Sequence, residues 1–391
     1  MMNHIETLTR QYDSSFYLYD LDAFEAHIRS IRETLHPEIK VWYACKANPL
    51  SKILSLLSEN GFGVDVASLG ELAQAKKSGV KKLIATGPAK TPSYLRTLME
   101  NGVSTIIVES RQQLRDLNRV AGELGRKQEV LLRLQLDWSG SLKSVLGGSA
   151  ITPFGLHPQD WENENLSEYA HLKVLGLHCF QWGNILDPQE LTRIWDETIA
   201  RCVSFAEAMK IELKVLDLGG GLGVSYTDER SLAFSSVHEA LVGLKEKYKL
   251  KEIWLELGRF SIAEFGKYLT RVVDVKEVRG KRIVVTAGGI NHLARPALVN
   301  ESFPVTALRD GKGETYSLHG PLCTALDYLG DHQLPKDLAS GEWLCFHKTG
   351  AYGFTESMPY FLCHEICGEA TIYQGKLEIL RDPVPSESWL K

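Results

Sequence analysis

The chain has 391 residues, 44 Lys and Arg against 49 Asp and Glu, and a formal charge of −5. That length excludes a minimal binding module and admits two or three average domains, or one large barrel with a companion. At 44% hydrophobic and 24% charged residues the composition is neither disordered nor fibrous, and it lacks the basic surplus that a nucleic-acid partner demands.

The opening MMNHIETLTRQYDSS has no basic stretch followed by an apolar one, and nowhere do eighteen apolar residues run together. A soluble cytoplasmic protein without a membrane partner is expected. Seven cysteines, an odd number spread from Cys45 to Cys367, fit a reducing compartment better than a disulfide framework. FYLYD, from Phe16, reads as a strand and DLDAFEAHIRSIRETL as the first helix. One phrase then recurs: a short apolar run, a polar or glycine-bearing turn, and a helical stretch with apolar residues three or four apart. Its eight strand-like runs are VWYACKAN from Val41, GFGVDVAS from Gly61, LIATG from Leu83, STIIVES from Ser104, VLLRLQL from Val130, VLGLHCF from Val174, LKVLDLGGG from Leu213 and IWLELGR from Ile253. Eight such units predict an α/β fold, a closed (β/α)8 barrel of the TIM type. After Arg259 the segments YLTRVVDVKEVRG, KRIVVTAGG, EWLCFHKTG and EATIYQGKLEIL are short and alternate in polarity, which predicts an antiparallel β domain. The expected division is a barrel over 21–262 and a β domain built from 1–20 and 263–391, with the N-terminal strand joining the later ones.

Barrel enzymes keep their working residues at the carboxyl ends of the strands. Lys46 closes the first run behind Val41, Trp42, Tyr43, Ala44 and Cys45, an apolar approach that favours the neutral, nucleophilic amine; a surface lysine at a strand end fits the same pattern. His178 ends the sixth run, either as a ring that stacks on a planar cofactor or as a satisfied core histidine. The seventh runs into Asp217, Leu218, Gly219, Gly220, Gly221 and Gly223, where backbone amides approach a phosphate or simply make a tight turn; Val224 breaks the dinucleotide pattern G-x-G-x-x-G. The eighth ends in Glu256, Leu257, Gly258 and Arg259, an ion pair or else an acid for a cationic ring nitrogen beside an arginine for an anion. A lysine for an imine, a flat ring for a ring face, glycines for a phosphate and an acid for a pyridinium together describe pyridoxal 5'-phosphate. Cys363 and Cys367 flank His364, but one Cys-x-x-x-Cys without a second pair predicts no metal site.

In order along the chain stand YACKAN at Tyr43, GFGVDVASLGEL at Gly61, GLHCF at Gly176, LDLGGGLG at Leu216, ELGR at Glu256, HGPLCTALD at His319 and GAY at Gly350. With these the sequence resembles the pyridoxal-phosphate decarboxylases of the alanine racemase-like fold, the group that holds diaminopimelate, ornithine and arginine decarboxylases. The resemblance implies that Lys46 carries the cofactor covalently, that Asp65 and Ser68 lie in a segment facing it, and that His178 stacks on its ring. It implies that Gly219, Gly220, Gly221, Gly258 and Arg259 hold the phosphate with Tyr352 close by, although in some members the arginine faces substrate, and that Glu256 keeps the ring nitrogen protonated. Cys323 becomes the acid that reprotonates Cα after CO2 leaves. Its loop crosses into the partner's site, so a homodimer with shared active sites is implied.

Three departures bear on substrate. Leu257 replaces the usual proline of Glu-Pro-Gly-Arg, and Phe180-Gln181-Trp182-Gly183-Asn184 puts aromatic bulk where relatives often have His-Ile-Gly-Ser. Members acting on basic diamino acids carry a carboxylate just after the cysteine, where Thr324 stands here with Asp327 as a partial substitute for pairing a distal ammonium. Asn291, His292 and Arg295 in GGINHLARPAL offer polar and cationic groups to an anionic arm of an amino-acid substrate, or Arg295 pairs with a domain-interface acid. This pattern is similar to the subgroup that decarboxylates an amino acid joined to an acid such as citrate in siderophore assembly, which is the activity expected. A free diamino acid such as diaminopimelate is the alternative, and GPLCTALD disfavours racemisation.

Overall fold

The computed structural model describes residues 2–138, 148–227, 232–388 and 390. It divides into two compact units, one of His27–Val224 and Arg230–Phe260, the other of Met1–Ala26, Ser225–Glu229 and Ser261–Lys391.

The first strand, β1 (Phe16–Asp20), belongs to the second unit. The next eight close the barrel of the first: β2 (Ile39–Ala44), β3 (Gly63–Val66), β4 (Leu83–Ala85), β5 (Thr105–Val108), β6 (Gln128–Arg133), β7 (Leu172–His178), β8 (Val215–Asp217) and β9 (Glu252–Leu257), which pairs back onto β2. Each falls on one of the eight apolar runs, as expected of parallel strands covered on both faces. Helix starts between them are fixed by side-chain caps: Ser68, Thr91, Ser110 and Asp187 each accept a first-turn amide. Trp42, Ile84, Ile107, Leu131, Leu175, Val215 and Trp254 form one buried layer. Gly63 lies opposite Trp42 in register, and a Cβ there would stand 2.2 Å from the indole. That glycine is the space into which the tryptophan fits.

The second unit is a nine-stranded sheet. To β1 it adds β10 (Gly266–Val278), β11 (Lys281–Thr286), β12 (Val305–Ala307), β13 (Gly313–His319), β14 (Tyr328–Pro335), β15 (Trp343–Phe346), β16 (Gly368–Tyr373) and β17 (Lys376–Arg381). Their order is β14-β13-β11-β10-β1-β16-β17, with β15 pairing β10 and β12. The N-terminal strand thus lies between β10 and β16. The sheet is mixed where an antiparallel one was expected, because β1·β16 and β11·β13 are parallel. Neither pair is joined by a hairpin, so nothing forces an antiparallel return. A helix absent from the sequence reading, Met2–Gln11, directs Ile5 and Leu8 into the core with Phe16, Leu18, Leu269 and Ile372. Among the described residues no helix is long and apolar enough to cross a membrane.

Candidate active site

At the carboxyl end of the barrel, β2 stops at Ala44 and one 3-10 turn, Cys45–Ala47, carries Lys46 beyond the strand. The lysine is therefore exposed, not enclosed by the apolar approach that VWYAC suggested. Carboxylates surround it instead: its charge lowers the carboxyls of Asp65, Glu71 and Glu256 against the opposing effect of burial. Asp65, on β3, is 2% exposed, and its Oδ2 accepts from Thr86 Oγ1 at 2.8 Å. Burial, reinforced by Glu256, lifts its carboxyl to about 7. Ser68 serves the backbone: its Oγ accepts from Glu71 N at 3.1 Å while Glu71 Oε2 accepts from Ala67 N at 2.7 Å. This reciprocal cap fixes the turn after β3.

Strand register sets Arg133 beside His178 and His178 beside Asp217 at the ends of β6, β7 and β8. His178 Nε2 lies 3.3 Å from Glu256 Oε1. Burial, with Arg133 adding to it, drives the imidazole well below its usual pKa, so the ring is neutral. Asp217 is pushed well above the carboxylate range by burial and by Glu256, and Glu256 is raised by burial while Lys46 and Arg133 favour its ionised form.

The turn after β8 has no room for side chains. A Cβ on Gly219, whose φ is 63°, would meet the Phe180 ring at 2.2 Å, and one on Gly220 would meet Glu256 O at 2.6 Å. Gly219 N already donates to Asp217 Oδ1 at 2.8 Å, so Gly219 shapes the turn rather than offering its amide to a phosphate. Gly258 and Arg259 follow β9 at the same end.

Four functional candidates at this end were passed over in the sequence. Glu109, directly after β5, accepts from Gly87 N at 2.7 Å and from Arg133 Nη1 at 3.0 Å, and lies 3.8 Å from Lys90 Nζ. The three ionic side chains are at most 7% exposed, and burial lowers Lys90 to about 8 against the support of Glu109. Asp217 is the fourth, read only as a lead into the glycines.

The remaining sequence candidates belong to the second unit. Cys323 is exposed on the loop between β13 and β14. Thr324 Oγ1 accepts from Leu326 N at 3.2 Å within that loop. Asp327 does not stand free for a substrate ammonium: its Oδ1 accepts from Ile290 N at 2.7 Å and its Oδ2 from Leu322 N at 2.8 Å. His292 is likewise spoken for, with Nε2 at 2.8 Å from Glu365 O and Nδ1 at 3.2 Å from Tyr268 OH, and burial takes it to about 4. Both corrections have one cause: the polar groups are buried and satisfied by their own unit. Asn291 accepts from Gly289 N at 2.8 Å. Arg295 is 5% exposed, donates to Glu356 Oε2 at 2.7 Å and sits 4.8 Å over the Tyr352 ring, while its Nε has no hydrogen-bond partner among the described residues.

The barrel residues fit pyridoxal phosphate. Asp65 Oδ1, both ring nitrogens of His178, Asp217 Oδ2 and Glu256 Oε1 are buried at the carboxyl end without hydrogen-bond partners among the described residues. Polar atoms left so in a protein interior call for a polar occupant. A flat protonated ring answers the acid and the imidazole face, and the side-chain-free turn admits an anion.

The family model described as pyridoxal-dependent decarboxylase, pyridoxal binding domain, matches residues 21–263. Diaminopimelate decarboxylase of Aquifex aeolicus is 29% identical over 388 residues, covering 96% of this chain and 91% of that protein. The 2-[(L-alanin-3-ylcarbamoyl)methyl]-2-hydroxybutanedioate decarboxylase of Staphylococcus aureus is 29% identical, covering 89% of this chain and 91% of that protein. Among solved structures, diaminopimelate decarboxylase from Helicobacter pylori complexed with L-lysine matches with a TM-score of 0.89 at 25% identity over 98% of both chains.

Proposed function

The chain belongs to the pyridoxal-dependent amino-acid decarboxylases, carboxy-lyases that use pyridoxal phosphate, and on that premise we propose a substrate with a second carboxylate distal to the one removed, diaminopimelate first. The observation that carries this reading is Arg295, a buried cation at the start of the helix Arg295–Val299 with an N–H still to satisfy. A carboxylate is the natural partner of a guanidinium in that state. The Aquifex aeolicus relative, named for diaminopimelate, supports the same choice.

A second reading has its own observation. In the cysteine loop Thr324 is uncharged and the Asp327 carboxylate is taken by two amides. A substrate whose distal amine is tied up in a conjugate with an acid such as citrate, as in siderophore assembly, loses nothing there, and the Staphylococcus aureus relative is named for a hydroxybutanedioate of this kind.

When bound, pyridoxal phosphate draws into its ring the electron pair released as CO2 leaves. The protein's part is to hold and orient. Lys46 carries the cofactor, the neutral imidazole of His178 covers the ring without adding a charge, and Glu256 accepts from the ring N–H. Gly220, Gly221, Gly258 and Arg259 receive the phosphate. Cys323 hands a proton to Cα. The working unit is a homodimer in the cytoplasm, each protomer's Cys323 serving its partner's barrel; the exposed thiol and Leu326, 70% exposed on the same loop, are surface that a second copy covers.

The test is mass spectrometry of products from meso-diaminopimelate, a citrate-conjugated diamino acid, lysine and ornithine. Lysine formed from diaminopimelate, with little turnover of lysine or ornithine, is the expected result. Turnover of the conjugate alone transfers the assignment to the second reading. Comparable kcat/KM on ornithine, which has no distal carboxylate, defeats both.

A further inference from the structure

Behind Cys323 the loop is held by one carboxylate. Asp327 is 1% exposed, and its two oxygens take the amides of Ile290, in the segment after β11, and Leu322, the residue before Cys323. Two glycines complete the socket: a Cβ on Gly289 would lie 2.0 Å from Asp327 Oδ1, and one on Gly320 would lie 2.3 Å from Oδ2. The loop also folds on itself through Gly320 N to Asp327 O at 3.2 Å, Thr324 N to Leu322 O at 2.8 Å and Asp327 N to Thr324 O at 3.2 Å. Cys323, Ala325 and Leu326 face outward, so Leu322 and Asp327 are the loop's buried anchors.

We propose that Asp327 is the positioning residue of the proton-delivering loop, fixing where Cys323 Sγ is presented by joining the amides of Ile290 and Leu322 through one carboxylate. The inference rests on the reading of Cys323 as proton donor. Both partners of Asp327 are donors, so a carboxylate offers an acceptor to each, whereas an asparagine sets its own NH2 against one of them.

A misplaced donor has a chemical signature. After CO2 departs, the electron pair at Cα normally takes the cysteine's proton and the product is an amine. Were the proton of Cys323 late, the bound cofactor would supply a competing outcome, an aldehyde in place of the amine, with water giving the aldehyde its oxygen and the substrate nitrogen retained on the cofactor. A purely structural defect lowers the amount of active enzyme without changing this ratio.

The experiment compares Asp327→Asn, Asp327→Ala and Cys323→Ala holoenzymes by kcat, KM and the aldehyde-to-amine ratio, with the absorbance of lysine-bound cofactor as the folding control. Both Asp327 variants are expected to lose roughly ten- to hundredfold in kcat with KM little changed, and to raise the aldehyde share in the direction of Cys323→Ala. If Asp327→Ala does not fold, the isosteric Asp327→Asn is read alone, together with peptide-resolved iodoacetamide labelling of Cys323, expected to quicken. A normal ratio in Asp327→Asn beside a shifted ratio in Cys323→Ala overturns the positioning role alone. A normal ratio in Cys323→Ala removes the donor itself, and both readings fall.

Discussion

His178 Nε2 stands 3.3 Å from Glu256 Oε1, and neither side chain is more than 3% exposed. Burial keeps the imidazole neutral and raises the carboxyl of Glu256, while Lys46 and Arg133 act against that rise. The pair sets an acceptor carboxylate beside an uncharged ring, suited to a ring nitrogen that must stay protonated. Glu256→Gln keeps the volume and removes the charge. Decarboxylation should fall by about 10² to 10³ with the cofactor still bound, as when one preorganised electrostatic contact is lost. CO2 release and cofactor absorbance, measured on the same sample, check this, and an unchanged rate rules out the pairing.

Asp65 gives a stability prediction. Its carboxyl titrates at about 7 in the folded barrel, against about 3.9 in an unfolded chain. The native state thus holds a proton that the unfolded state has released, so the stabilisation is complete below the unfolded value and is lost as pH rises through 7. His178 acts oppositely, since its lowered pKa costs stability as pH falls below the ordinary histidine range, but it is common to both proteins compared. Calorimetry of the cofactor-free protein should show the wild type losing Tm between pH 5 and 8 relative to Asp65→Asn. Parallel curves would mean that Asp65 is ionised throughout.

The Lys90–Glu109–Arg133 cluster predicts a larger loss. Glu109→Ala leaves two cations inside the barrel without their carboxylate, which costs about 3–5 kcal/mol, because an unpaired buried charge is worse than none. Urea unfolding of the cofactor-free chain measures it. A loss below about 1 kcal/mol, the level of a surface pair, would show that water reaches both cations.

How much of this was legible in the sequence follows from what each feature depends on. The barrel strands were readable because parallel strands covered on both faces are written as unbroken apolar runs, and the strand-end rule then led to Lys46, His178 and Glu256. The same rule reaches Glu109 and Arg133, yet a charged residue at the end of an apolar run carries no mark of whether it will be buried. His292 and Asp327 failed for a different reason. Whether such a side chain meets a ligand or the protein's own groups is decided by which distant segments the fold brings together: the pairing of β11 with β13 sets Asp327 against Ile290, and His292 meets Tyr268 on β10 and Glu365 ahead of β16. Helix Met2–Gln11 buries only Ile5 and Leu8, too short a signal to stand out.

On the proposed reading, Arg295 favours substrates with a distal carboxylate over those without one. Its guanidinium is fixed by Glu356 on one side and the Tyr352 ring on another, leaving Nε for a further acceptor. Lysine in its place keeps a positive charge but has no planar fork, so it cannot serve Glu356 and a substrate carboxylate in the same geometry. A charge-assisted hydrogen bond is worth about 1.5–3 kcal/mol, so Arg295→Lys should raise KM for a substrate with a distal carboxylate by roughly ten- to a hundredfold. Because the contact lies away from the reacting carbon, kcat should change much less. Steady-state kinetics on the preferred substrate and on its distal amide make the comparison. The amide, which lacks the negative charge, should be turned over poorly by the wild type and lose little more in the variant. Equal KM increases for acid and amide would show that the substitution disturbed the fold around Tyr352 and not a carboxylate contact.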